Sequence, residues 1–157
     1  MICPNCKNQL PNRWDDHCPH CIKIQKMDRF YMDIAVRASE LSHGKRLQVG
    51  AVLVKDNNIL SFGWNGTPPG FDNCCETDDN ATKPEVIHAE VNTLAKVART
   101  TGNALNSTLY LTDSPCYDCC KLVIQSGVKR VVYLCEYRIT DPIDFMRRAG
   151  IIVVQLV

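Results

Sequence analysis

The chain has 157 residues, 45% of them hydrophobic, which suffices for one domain with a real core plus a small appendage and excludes two domains of ordinary size. A net charge of +1 excludes the basic field that grips long nucleic acid, so nucleic acid is an unlikely partner and a small molecule or a protein is expected instead. The N-terminus has no basic stretch followed by an apolar run, and no segment approaches the roughly 18 apolar residues of a membrane span. The expected location is cytoplasmic, with no membrane partner.

The first element is carried by cysteines. Cys3-Pro-Asn-Cys6 and Cys18-Pro-His-Cys21 are two C-x-x-C pairs with eleven residues between them. Each pair forms a tight turn that points two sulfurs at one centre, and two such turns supply the four thiolates of a closed structural zinc site. Residues 1–25 therefore read as a zinc ribbon or knuckle that depends on its metal to fold. His17 and His20 are the alternative ligands there, and Trp14 is the only aromatic residue. Bracing or a protein contact suits this segment better than nucleic-acid binding.

Residues 26–157 alternate helices and strands. Met27, Phe30, Tyr31, Ile34, Ala35 and Ala38 recur at helical spacing and predict an amphipathic helix over 27–42, stopped near Gly44. Strands at 49–55 and 58–64 form a hairpin through a tight turn at Asp56-Asn57-Asn58. Residues 65–84 are rich in Gly, Pro, Asn and Asp and predict a long functional loop. A second helix places Val91, Leu94, Ala95 and Ala98 on one face and ends by Gly102. A buried strand follows at 107–112, then a helix with Pro115 in its first turn and Gly127 as its stop. The strand RVVYLC should bury Cys135 in the core. A helix opened by Asp141-Pro142 ends at Gly150, and the chain closes with the strand IIVVQLV. The order predicts an α/β fold: a three-layer α/β/α sandwich around a five-stranded mixed sheet.

The chemistry is concentrated in EVIHAEVNTL and TDSPCYDCCKLVI, each of which opens a helix. His88 offers an imidazole, and Cys116 and Cys119 offer thiolates three residues apart, a donor set that prefers zinc. Three protein ligands leave the fourth position to water, as in a catalytic rather than a structural site. Glu90, two residues after His88, is placed to take and return the proton of that water. Cys120 lies near the same helical face, so spacing alone does not exclude it.

HAE followed by PCYDC matches the H-x-E…P-C-x-x-C signature of zinc nucleobase deaminases. Within that superfamily, QVGAVLVKDNNILSFGWNGTPPGFDNC, IHAEVNTL and LYLTDSPCYDCCKLVIQSGVKRVVYLCEYR resemble the deoxycytidylate (dCMP) deaminases over about residues 27–157. The N-terminal cysteine pairs are not a usual part of that family. The resemblance implies a cytidine deaminase-like fold, with His88, Cys116 and Cys119 on a catalytic zinc and Glu90 as proton shuttle. It also implies that Asn65 meets the sugar hydroxyl, the Ala89 N–H the pyrimidine carbonyl, and the Ser114 carbonyl region the leaving amine. It leaves Cys120 without a metal role.

The implied reaction is dCMP to dUMP and ammonia, supplying dUMP for thymidylate synthesis. Relatives form hexamers activated by dCTP and inhibited by dTTP, so a homo-oligomer with these effectors is expected. Lys45, Arg46, Tyr137 and Arg138 are candidates for the phosphate. Cys74 and Cys75, with His43, are candidates for one further zinc. Alternative substrates are dCTP, dCMP and dCTP together, a modified deoxycytidylate, free cytidine, or adenosine in tRNA. A zinc module that binds nucleic acid or protein is the alternative from another class, and Glu90 argues against it because a structural zinc needs no proton shuttle.

Overall fold

The structure is a computed structural model that describes residues 18–138 and 140–157. Cys3 and Cys6, and with them half of the expected four-thiolate site, lie outside the described residues, as do Trp14 and His17.

Helix α1 spans Pro19–Ser39 and so starts well before residue 27. Cys18 is its N-cap, with the sulfur accepting the Cys21 N–H at 3.4 Å, and Pro19 opens the first turn. Proline belongs at that position because its missing N–H costs a helix nothing there. The second C-x-x-C pair is therefore a helix start, and α1 runs unbroken across the expected boundary at residues 25 and 26. Tyr31, Met32, Ala35 and Ala38 are buried, whereas Phe30 is exposed. The helical period is the one the sequence predicts, but the buried face is rotated towards Asp28 and Met32.

Among the described residues, strands β1 (Gly50–Lys55), β2 (Asn58–Trp64), β3 (Thr108–Asp113), β4 (Arg130–Cys135) and β5 (Ile152–Gln155) form one sheet in the order β2-β1-β3-β4-β5. β1 pairs antiparallel with β2 and β3, while β3, β4 and β5 are parallel. The hairpin loop is Asp56-Asn57, with φ of 51° and 61°. Positive φ at both central residues is the type I′ turn, whose twist matches that of paired strands. The parallel strands need crossovers, and helices α3 (Tyr117–Gln125) and α4 (Asp141–Arg148) provide them. Helix α2 (Ala89–Ala98) follows the long loop after β2.

Strand alternation divides the core in two. Val52, Val54, Tyr110 and Val132 pack with Tyr31, Met32 and Ala35 of α1. Ala51, Leu53, Leu109, Leu111, Val131 and Tyr133 face the other way, onto residues of α2, α3 and α4. The three layers are thus α1, the sheet, and α2 with α3 and α4, as the residue pattern predicts. α1 lies very close to the sheet: a Cβ on Gly50 would stand 1.9 Å from the Ala35 carbonyl oxygen. On the other layer, α2 buries Ala89, Glu90, Thr93, Leu94 and Val97, so the expected face with Ala95 and Ala98 is off by one position. The polar pair Glu90 and Thr93 is what hides this in the sequence. Cys135 ends β4 and is exposed, contrary to the expectation of a core thiol, because the strand has already reached the sheet margin.

Candidate active site

Two helix starts meet at the carboxyl ends of the parallel strands. His88 is the N-cap of α2 and Cys116 the N-cap of α3, both with extended backbone, and Cys119 lies in the first turn of α3. Helix starts leave N–H groups unpaired and carry the positive end of the dipole, which favours thiolates and anions there. Pro115 sits just ahead of the Cys116 cap and not inside the first turn.

His88 Nδ1 is 3.6 Å from Cys116 Sγ and 3.4 Å from Cys119 Sγ. Zinc bonds of about 2.3 Å to sulfur and 2.0–2.1 Å to nitrogen at tetrahedral angles put N and S roughly 3.6 Å apart. The two nitrogen–sulfur distances therefore match edges of a zinc tetrahedron, and all three ligand atoms lie within 4.8 Å of one another. Among the described residues they are the group of three possible metal ligands; His43, Cys74 and Cys75 do not form another. Cys120 turns into the core, with its sulfur against the carbonyls of Pro115 and Pro142.

Electrostatics points the same way. Hydrogen bonds from the Cys119 thiol and from His88 pull the Cys116 thiol down to about 4. The Cys116 sulfur, with burial, pushes Cys119 up, and the hydrogen bond to Cys116 raises His88. Glu90 is 4% exposed, and burial raises its carboxyl above the usual carboxylate range. Two thiols and a carboxyl in one pocket cannot all ionise without a cation between them. A zinc ion held by His88, Cys116 and Cys119 would supply that charge.

A cavity of about 330 Å³ opens on these groups, and Asn65, Ala89, Ser114 and Tyr137 all line it. The Asn65 amide is partly engaged: its oxygen accepts from Val49 N–H at 2.8 Å, and its nitrogen donates to the Leu47 carbonyl at 2.9 Å. One lone pair and one N–H remain for a ligand. Ser114 Oγ accepts the Tyr137 N–H at 2.8 Å, and Ser114 N–H donates to the Cys135 carbonyl at 2.9 Å. This clip brings the segment after β4 to the cavity, so Arg138 lines it, as does Arg46 from the other rim; Lys45 does not.

Glu76 and Asp113 also line the cavity, and neither is among the residues that the sequence singles out. Asp113 carries a usable signal, because it follows Leu109 and Leu111 at alternate positions of β3 and so shares their face towards α2 and α3. Its carboxyl is raised by burial, with Thr112 Oγ1 donating to Oδ2 at 2.8 Å. Glu76 has no local signal inside the long loop.

An α/β/α sandwich with a His-Cys-Cys cage and a buried glutamate beside it defines the class: a zinc-dependent deaminase of cytidine deaminase-like fold. The family described as the cytidine and deoxycytidylate deaminase zinc-binding region matches residues 25–135, and the chain belongs to that family. The deoxycytidylate deaminase of Mycobacterium phage D29 is 35% identical over 120 residues, covering 68% of this chain and 92% of that protein. That of Enterobacteria phage T4 is 32% identical over 163 residues, covering 76% and 84%. The crystal structure of dCMP deaminase from cyanophage S-TIM5 in complex with dCMP and dUMP has 47% identity and a TM-score of 0.81, covering 83% of this chain and 96% of that one. Among the described residues no helix is long and apolar enough to cross a membrane.

Proposed function

We propose that this chain hydrolyses dCMP to dUMP and ammonia. The observation that carries the reading is the His88-Cys116-Cys119 triangle with Glu90 buried beside it, in a chain similar to a deaminase whose structure holds dCMP and dUMP. When bound, zinc acts as a Lewis acid that makes water a competent nucleophile at neutral pH. Glu90 takes the proton released and delivers it to ring N3, so that C4 becomes electrophilic and the water oxygen adds there. The carboxylate then takes the second proton, from the hydroxyl added at C4, and passes it to the amino nitrogen; the C4–N bond breaks as the C4 carbonyl forms, and ammonia leaves. A carboxyl raised by burial suits this exchange, since it must both accept and give a proton near neutral pH.

The remaining cavity residues take the roles that the resemblance implies. Ala89 is the first residue of α2, whose N–H a helix leaves outside its own ladder, and it meets the pyrimidine carbonyl. The Ser114 carbonyl meets the amine, and the remaining valences of Asn65 meet the sugar hydroxyl. Arg46, Tyr137 and Arg138 serve the phosphate, supported by their place on the cavity wall. A second, structural zinc belongs to Cys3, Cys6, Cys18 and Cys21 in a knuckle of residues 1–25, ahead of a deaminase domain of 26–157. A cytoplasmic homo-oligomer, a hexamer on the family pattern, and regulation by dCTP and dTTP complete the reading.

The test is ammonia release from dCMP, dCTP, deoxycytidine, cytidine and a tRNA anticodon stem-loop, with and without dCTP or dTTP as effector. Turnover of dCMP is expected, and turnover of none of these would sink the reading. Metal analysis should give two zincs per chain, falling to one when Cys3 and Cys6 are both changed to Ser.

A further inference from the structure

Glu76 is 8% exposed and sits in the long loop, on the wall of the catalytic cavity. Its Oε1 accepts the backbone N–H of Lys45 at 2.8 Å and of Arg46 at 3.3 Å, while Oε2 has no hydrogen-bond partner among the described residues. A buried carboxylate with one oxygen unsatisfied is costly, and such groups persist where they serve a purpose. Arg46 is held at its other end too: Nη1 donates to the Asn80 carbonyl at 2.9 Å. Asn80 has φ 63° and closes a turn with its N–H to the Thr77 carbonyl, four residues beyond Glu76 in the same loop. One loop therefore grips Arg46 by its backbone and by its guanidinium. Four of the five guanidinium N–H donors remain for a ligand anion.

We infer that Glu76 is a positioning residue that gives the enzyme its preference for a nucleotide over a nucleoside, by holding Arg46 where it meets the substrate phosphate. The inference rests on the dCMP reading above. Two effects of Glu76 oppose each other. Its negative charge near a bound phosphate weakens binding, whereas its two hydrogen bonds from backbone N–H groups order the arginine that strengthens binding. The loop grip makes ordering the larger effect, so removal of Glu76 weakens the nucleotide and spares the nucleoside.

The experiment compares KM and kcat for dCMP and deoxycytidine in the wild type, Glu76→Ala, Glu76→Gln, Arg46→Ala and the Glu76→Ala/Arg46→Ala double variant. Without a charge-assisted hydrogen bond to the phosphate, KM for dCMP should rise by about 10–100-fold in Glu76→Ala. kcat/KM for deoxycytidine should stay within about threefold, which also reports that the variant is folded. Glu76→Gln keeps an acceptor for the two N–H groups and should recover most of the loss. Arg46→Ala should match Glu76→Ala, with no further loss in the double variant. Equal losses on both substrates, a lower KM for dCMP in Glu76→Ala, or additive losses would each overturn the inference. A wild type that turns over deoxycytidine but not dCMP would overturn the substrate reading and this inference together, a result distinguishable from those three.

Discussion

Asp28 and Arg130, 102 residues apart, form a bidentate ion pair at 2.7 and 2.6 Å across the junction of α1 with the sheet. Tyr110 donates its hydroxyl to the same carboxylate at 2.8 Å. The Asp28 side chain is 6% exposed and that of Arg130 is 21% exposed, so removing one partner strands a charge away from water. Asp28→Ala should therefore lower stability by about 3–5 kcal/mol in urea unfolding. A loss under about 1 kcal/mol would show that water already satisfies Arg130.

The same network predicts a response to alkali. Burial, with the hydrogen bond to Asp28, raises the Tyr110 phenol well above its ordinary value. The folded protein thus holds that proton more tightly than the unfolded chain. Its contribution to stability is fully present below about pH 10 and is lost as pH rises towards the folded value. Tyr110→Phe should be less stable than the wild type at about pH 8, with a shallower decline between about pH 10 and 11. Parallel declines in the two proteins would remove Tyr110 as the source.

Gly50 tests how closely α1 lies on β1. Gly50→Ala puts a methyl group against the Ala35 carbonyl and the Ser39 nitrogen, backbone atoms that cannot rotate away. A stability loss of roughly 3 kcal/mol is expected, at the upper end for overpacking. Gly66→Ala meets only Trp64, at 3.9 Å, and should change stability by less than about 0.5 kcal/mol.

Two adjacent cysteines should part company on substitution. Cys119→Ser is expected to lose both the catalytic zinc and activity, since a serine hydroxyl is a poor zinc ligand. Cys120→Ser should keep both, because that sulfur faces two proline carbonyls inside the core. Zinc content per chain, read alongside turnover, separates the two. Loss of metal in Cys120→Ser would redraw the cage.

Glu90→Gln keeps the side chain's shape and removes its proton exchange. Zinc content should match the wild type while kcat falls by about 10²–10⁴-fold. Retained turnover would mean that another group moves the proton.

The element order and the candidate metal ligands are legible in the chain because each leaves a local mark. Asp56-Asn57 marks the hairpin turn, and HAE and PCYDC mark two helix starts. Relations across the fold leave no such mark. Nothing near Asp28 announces Arg130, and nothing near Glu76 announces Arg46; both pairs exist only once the sheet brings distant segments together. Helix α1 starts earlier than its residues suggest because its first turns hold cysteines that read as a knuckle, with Ile22 and Ile24 exposed. The buried face of α2 is hidden because Glu90 and Thr93 are polar, and only the site explains why a carboxyl is turned inward.

The three candidate zinc ligands stand at helix starts, two as caps and one in a first turn, where backbone direction is set by how a helix begins. The interior of the sandwich is a separate matter, held by aliphatic side chains on the far turns and on the strands. A lineage can therefore exchange one interior hydrocarbon for another without disturbing the cage. It can likewise remodel the loops that carry Arg46 and Arg138 while the chemistry at C4 stays as it was. Substrate range and reaction type can thus drift independently in this architecture.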